Sequence, residues 1–245
     1  MTKTLTFISI SAIVLVLPLA LVAQGGFCTV QLTASGGGND TFITRHPNLG
    51  GPNSNHGTQW GMWVIGSLSF ESYPLMFFDV GSLGPDCQMA ISPGTITLNV
   101  IDTYGQGLVS QNMELLRVLV PWVEDDVTWN SFGPGIIKGE NVDFAPLDVK
   151  GVTAGPCAYP AVIPPATPHP VSCSHSAATF TVPMDTLQAW IDDPTTNYGV
   201  LVYSSTLPVH KDIVFATREN QYHYPGGSPV PGPSLTFVGC PATGC

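Results

Sequence analysis

Residues 122–135 read WVEDDVTWNSFGPG. Two tryptophans, Trp122 and Trp129, bracket three consecutive acids, Glu124, Asp125 and Asp126, and the stretch breaks at Gly133-Pro134-Gly135. Four readings fit these residue types: a sugar-stacking platform, a catalytic carboxylate pair, a cation site, or the corner of a β-sheet. The neighbouring sequence favours the corner. MELLRVLVP (113–121) is a β-rich run that ends at Pro121 and delivers Trp122. The acids then make an exposed turn, and Val127-Thr128-Trp129 reads as a short return strand. On this reading the two tryptophans mainly plug the edge of a sandwich.

Runs of the same kind recur outward in both directions. TFITR (41–45), GMWVIGSL (61–68), PLMFFDV (74–80), GTITLNVIDT (94–103), ATFTV (178–182), GVLVYSS (199–205), DIVFATR (212–218) and SLTFV (234–238) carry β-branched or aromatic residues with partial alternation, between Gly, Pro, Asn and Asp. So many strands without regular intervening helices predict an all-β sandwich or barrel. One short helix is expected in PMDTLQAWIDDP (183–194), where Asp185 caps, Gln188 completes a capping box, and Leu187, Trp190 and Ile191 share a face. From about 151 to 176 the composition changes. Pro156, Pro160, Pro164, Pro165, Pro168 and Pro170 exclude a central strand or a long helix there, so this segment is expected to be a surface insertion.

The N-terminus sets the expected compartment. Lys3 precedes an apolar run from Leu5 to Val22 that closes on Leu21-Val22-Ala23-Gln24, the pattern of a secretory signal peptide over residues 1–23. Residues 27–240 then form a single domain, with 241–245 as a tail. An uncleaved anchor is the alternative, but the run falls short of the ~20 residues that span a bilayer. The six cysteines, Cys28, Cys87, Cys157, Cys173, Cys240 and Cys245, all lie beyond this segment. In an exported chain they argue for disulfides. Cys157 and Cys173 bracket one local segment and are expected to pin the proline-rich insertion. If the termini meet, Cys28 reaches Cys240 or Cys245, and Cys87 takes what is left.

Charged residues make up 10% of the chain and the formal net charge is -10. Nucleic acid is therefore excluded as a partner, because phosphate binding needs a basic patch. The same field repels polyanionic sugars unless a cation bridges them.

The landmarks NDTFITRHPNLGGPNSNHG (39–57), YPLMFFDVGSL (73–83), VPWVEDDVTWNSFGPG (120–135), LQAWIDDPTTNYGVLV (187–202), FATREN (215–220) and GPSLTFV (232–238) occur in this order. As a set, they resemble the DNRLRE-domain family, which overlaps carbohydrate-binding module family 96. The similarity covers nearly all of the chain after the signal, except the proline-rich insertion. It implies a jelly-roll β-sandwich of secreted or cell-surface proteins, often found beside polysaccharide-active enzymes, with alginate binding among members. Asp40, Asn55, Gly57, Phe78, Asp79, Trp122, Glu124, Thr128, Trp129, Asn130, Trp190, Asn197, Tyr198, Gly199 and Glu219 stand where the family pattern places its residues. Two departures matter: Leu75-Met76-Phe77 replaces the usual basic residue before the Phe-Asp pair, and Gly232-Pro233-Ser234 replaces a closing Arg-Pro. The resemblance therefore implies generic glycan binding and not alginate specificity.

Sugar binding by such modules needs flat aromatic faces flanked by hydrogen-bonding groups. The candidates on turn-rich segments are Trp60 and Trp63 in TQWGMWVIG, and Tyr222, His223 and Tyr224 in ENQYHYPGG. Trp60 and Trp63 are odd-spaced, so a regular strand sends one to the core and one to solvent. Packing at a loop edge is the competing reading for all of them. Cys157, His169, Cys173 and His175 offer soft metal ligands, but export favours the disulfide. No cofactor is required. Structural Ca2+ held by carboxylates such as Asp40 or the acids at 124–126 is compatible with the sequence, without a diagnostic ligand spacing.

For an enzyme the sequence lacks a G-x-S-x-G elbow, an H-E-x-x-H pair and a phosphate loop. Gln221-Tyr222-His223 resembles, faintly, the Gln-x-His element of jelly-roll alginate lyases, without their Arg-rich strand. The expectation is a secreted, non-catalytic polysaccharide-binding domain, acting outside the cell or at its surface on a polysaccharide or surface glycan, with no membrane contact after signal cleavage. The alternatives are a self-associating structural component of an extracellular matrix, sheath or appendage, and a polysaccharide lyase or hydrolase.

Overall fold

The structure is a computed structural model that describes residues 27–33, 39–66, 70–83, 89–103, 107–132, 143–157, 169–170, 173, 177–204, 212–219, 222–223 and 229–241. The expected signal peptide and most of the proline-rich insertion lie outside these residues. The strands in chain order are β1 (Phe27–Thr33), β2 (Asn39–Thr44), β3 (Gly61–Ile65), β4 (Ser72–Phe77), β5 (Gly94–Asp102), β6 (Val109–Val118), β7 (Phe144–Ala154), β8 (His169–Pro170), β9 (Ala177–Val182), β10 (Val200–Ser204), β11 (Asp212–Ala216), β12 (Tyr222–His223) and β13 (Ser234–Pro241). One helix, α1 (Met184–Asp192), follows β9. The protein is an all-β sandwich of jelly-roll type.

Strand β5 carries the turn from one layer to the other. Its first part pairs with β13 on one side and β9 on the other. Val100 and Asp102 pair instead with β11, across an irregularity between Val214 and Phe215. The sheet runs β1-β13-β5-β11-β3-β4-β10-β6-β7, with β2 added on β4 and β9 on β5, and it curls so that its two halves enclose one core. Alternation explains the burial: Ile96, Leu98 and Val100 of β5, Phe180 and Val182 of β9, Met113 and Leu115 of β6, and Val200 and Val202 of β10 all point into that inner core.

A second core lies on the other side of the sheet formed by β2, β4, β10 and β6. Ile43, Tyr73, Leu75, Leu201, Leu116 and Val118 alternate with the inner set and pack against Val127, Trp129, Phe132 and Phe144. Ordinary alternation sends the successive residues Leu115 and Leu116 to opposite cores, and the register shift opposite them falls on β7, where Leu147 is the extra residue. The sheet is therefore apolar on both faces, and residues 122–132 cover the outer one.

This corrects two expectations for WVEDDVTWNSFGPG. Val127-Thr128-Trp129 is not a return strand: after a turn at 124–126, a 3-10 turn over Trp129–Phe132 drops Trp129 and Phe132 onto the sheet. Nor are all three acids exposed. Asp125 and Asp126 face solvent, whereas Glu124 is buried.

Helix α1 forms where expected and buries Leu187 and Trp190, but not with the expected cap. Its N-cap is Pro183, without a side-chain cap. Gln188 instead accepts the Ala90 amide (2.9 Å) and donates to Asp192 (2.8 Å). Proline at the cap has neither a side-chain oxygen for the first-turn amides nor a backbone N–H for a box partner, and Gln188 stands two residues beyond that partner's position. The connection from α1 to β10 is fixed by Asn197, whose amide donates to Phe78 O (2.8 Å) and whose Oδ1 accepts Gly199 N (2.9 Å). Gly199 sits at φ 81°, and a Cβ there would lie 2.1 Å from Met76 O, so only glycine fits this crossing.

The disulfide Cys157–Cys173 is present and removes the thiolate-metal reading. Cys28 is also disulfide-bonded. Among the described residues, no helix is long and apolar enough to cross a membrane.

Candidate functional site

Asp40 is the second residue of β2, the strand added at the side of β4, where it stands opposite Met76. Strand alternation puts its side chain on the face of Phe42, toward the inner core, and Asp40 is fully buried. Its backbone amide points away from β4 and donates to Glu124 Oε1 (3.0 Å). Glu124 thereby satisfies an edge amide that sheet pairing leaves open. Glu124 is itself held in place from behind. Asn55 donates its amide group to Glu124 O and Val127 O, and its Oδ1 accepts Gly57 N (3.0 Å). A Cβ at Gly57 would lie 2.8 Å from Glu124 Cγ, so the loop approaches the acid at glycine distance.

Arg218 closes the cluster. It follows β11, where its backbone amide donates to Asp40 Oδ2 (2.9 Å). Its guanidinium pairs with Glu124 Oε2 through one terminal nitrogen and with Glu219 Oε1 through Nε. Asp40 Oδ1 lies 3.8 Å from the same Nε, too far for a hydrogen bond. Asp40 Oδ1 and Glu219 Oε2 are buried, and neither has a hydrogen-bond partner among the described residues.

The electrostatics follow from burial. Desolvation pushes the Asp40 carboxyl from its ordinary 3.8 up to about 7; the Arg218 amide works against this and the Glu219 charge adds to it. Burial also raises the Glu124 carboxyl, against the Asp40 amide and the Arg218 charge. Desolvation disfavours the Arg218 cation, but Glu219 and Glu124 together outweigh it and hold the guanidinium above its ordinary value. His56 stacks on Phe42 with ring centroids 4.1 Å apart, and burial lowers its pKa, so it is a neutral wall and not a second cation.

The same end of the sandwich gathers the aromatic candidates. Gly61 of β3 pairs with Ala216 of β11, which sets the turn before β3 beside the turn after β11; Thr217 Oγ1 donates to Gln59 O (2.7 Å). Trp63 is buried, and Trp60, in that turn, is half-buried with its ring edge-on to Trp63 at 5.0 Å. Trp60 lies just before β3 and not in it, so the two tryptophans pack on one another against the same core instead of dividing between core and solvent. Tyr222 and His223 pair in parallel with His169 and Pro170, joining the proline-rich insertion to the loop after β11. The side chains of Tyr222 and His223, and all of Tyr224, lie outside what the structure describes.

Trp122 is a wall that the sequence placed mainly as a plug. Half-buried, it donates its indole N–H to Tyr198 O (2.8 Å). It borders a cleft of about 330 Å3 with Asp126, Ser131 and Asp143, and another of about 120 Å3 with Asn39 and Tyr198. Trp129, by contrast, is buried beneath Arg45.

Sequence reasoning named Asp40, Glu124 and Glu219 separately but missed that they meet, and missed Arg218 altogether. The available signal was composition: in a chain with only 7 Lys and Arg residues, an Arg-Glu dipeptide directly after an apolar strand needs a partner. Fold and cluster together define an all-β sandwich with one arginine set among three carboxylates beside its loops. No protein-family model matches the chain, and no curated protein matches it.

Proposed function

We propose that this protein is an exported, non-catalytic domain that binds a polysaccharide or surface glycan through the loops beside Trp60. The observation that carries the reading is the adjacency of both aromatic segments: the turn holding Trp60 is hydrogen-bonded to Thr217, a few residues before Tyr222 and His223. The accessible part of the half-buried Trp60 indole would meet the apolar side of a pyranose, with polar loop groups beside it serving the hydroxyls. Export and an extracellular or cell-surface location rest on the N-terminal pattern and the disulfides.

A glycan array with neutral and acidic polysaccharides, followed by affinity gel electrophoresis, tests the reading. Trp60→Ala should weaken retention by at least tenfold with the fold intact by circular dichroism. Retention unchanged in Trp60→Ala but lost in Trp122→Ala would move the site to the cleft at Trp122. No retention on any polysaccharide would sink the proposal.

One observation favours a second reading, a structural component of a matrix, sheath or appendage. β1 stands at one end of the sheet order, and among the described residues nothing pairs with its outer side. An open edge strand is a template for pairing with another chain. Light scattering that finds only monomer across concentration would remove this reading.

A further inference from the structure

Among the described residues, the cluster at Asp40 has a charge deficit and two carboxylate oxygens without a hydrogen bond. Asp40, Glu124 and Glu219 bring three carboxylates, and Arg218 brings one guanidinium. With all groups ionised the site is short of two positive charges. A buried carboxylate oxygen without a hydrogen bond is costly, because nothing replaces the water it has lost. Here Asp40 Oδ1, on a fully buried side chain, and Glu219 Oε2 are both in that condition. Neither is needed to hold Arg218, which uses the other oxygen of Glu219 and one of Glu124.

We propose that Asp40, Glu124 and Glu219 bind a divalent cation of the calcium class. One ligand oxygen from each residue lies within 4.8 Å of the others, close enough for all three to reach one cation at Ca–O distances of about 2.4 Å. Magnesium gives up its waters reluctantly and keeps a strict octahedron, so it gains less than calcium from three carboxylates fixed by the fold. Among the described residues the donor set is entirely hard oxygen, which suits calcium better than zinc or copper. Three carboxylates supply fewer than the six to eight oxygens calcium takes, so water fills the remainder. Access exists: the Arg218 and Glu219 side chains are each more than a quarter exposed, and Arg218 lines a cleft of about 190 Å3 with Pro229 and Pro231.

The cation also ties the loop end together, because its ligands come from three distant places: β2, the segment covering the outer core, and the turn after β11. Calcium binding should therefore appear as stability as well as affinity. The inference does not depend on glycan binding.

The full chain is freed of metal with chelator, exchanged into buffer at pH 8, and titrated with CaCl2 and separately with MgCl2, reading heat and melting temperature. The expected result is one calcium per chain, a melting temperature several degrees higher in excess CaCl2, and a much smaller shift with MgCl2. Glu219→Gln, which keeps size and removes one ligand charge, should weaken calcium affinity by at least tenfold without lowering the metal-free melting temperature. Asp40→Asn provides a second variant with the same expectation for affinity. Absence of both heat and a calcium-dependent melting shift in the unaltered chain overturns the inference, as does calcium affinity unchanged in both variants. A chain that binds calcium but no glycan overturns the proposed function and leaves this inference standing. One that binds glycan but no calcium does the reverse.

Discussion

Arg45 and Arg218 both serve carboxylates, and the difference between them shows where this protein concentrates its electrostatics. Arg45 pairs with Glu71 at the surface, one base to one acid, and rests over the ring of Trp129 at 5.6 Å. That pair is the more accessible of the two, with 38% of the Arg45 and 17% of the Glu71 side chain reached by water against 27% for Arg218 and 9% for Glu124. Arg218 serves three carboxylates, one of which is fully buried. Exposed pairs contribute little because solvent screens them, whereas an uncompensated buried charge is expensive. Equal chemistry at the two arginines should therefore give unequal consequences.

The largest expected effect comes from Arg218→Met. With its only guanidinium gone, the cluster keeps three acids, and stability should fall by about 3–5 kcal/mol, measured by urea denaturation in chelator. A loss no larger than that of Arg45→Ala would break the comparison.

Next in size is a pH dependence seen only without divalent cation. The Asp40 carboxyl rises from 3.8 to about 7 on folding, so the folded state holds this proton longer than the unfolded one. Its contribution is complete below about pH 4 and is lost as pH rises through 7. About three pKa units at ~1.4 kcal/mol each set a ceiling of roughly 4 kcal/mol. The groups facing Asp40 are Arg218, Glu124 and Glu219; Glu124 shifts in the same direction and adds to the slope. Denaturation at pH 4.5, 6 and 8 should show stability falling with pH, and Asp40→Asn should flatten the trend. A wild-type curve that rises over this range would contradict the assignment.

A smaller loss is expected for Glu124→Gln. The neutral amide can still accept the Asp40 N–H but gives up the ion pair, for about 2 kcal/mol. The smallest belongs to Arg45→Ala, within about 1 kcal/mol, and thermal melting in low and high salt should show most of that contribution screened.

The sequence made the strands legible because their chemistry is local. GTITLNVIDT and ATFTV alternate so clearly that β5 and β9 follow from period and turn residues alone. β7 escaped because FAPLDVKGVTA (144–154) carries a proline, a glycine and two charges and is exposed at Pro146 and over 149–151, which interrupts its alternation. The segment at 127–132 escaped for another reason. A valine and two aromatics suit a strand, but here they cover a face that β2, β4, β6 and β10 had already made apolar, and no local pattern reports what lies beneath. The sequence sends Trp60 and Trp63 to opposite faces, but both pack against the same core. Their contact with one another depends on the bend at Trp60, which alternation does not encode.

The sequence by itself determined the class of fold, the helix after β9, the disulfide at Cys157 and Cys173, and the scarcity of positive charge, because each depends on neighbours along the chain or on totals. Only the tertiary structure decided which acid of Glu124-Asp125-Asp126 is buried and that it meets Asp40, 84 residues away, and Arg218, 94 residues away. Burial and charge pairing are properties of space. Three acids adjacent in sequence are nearly identical in chemistry, and the turn that carries them, tied down by Asn55 and approached by Gly57, selects the one that faces inward.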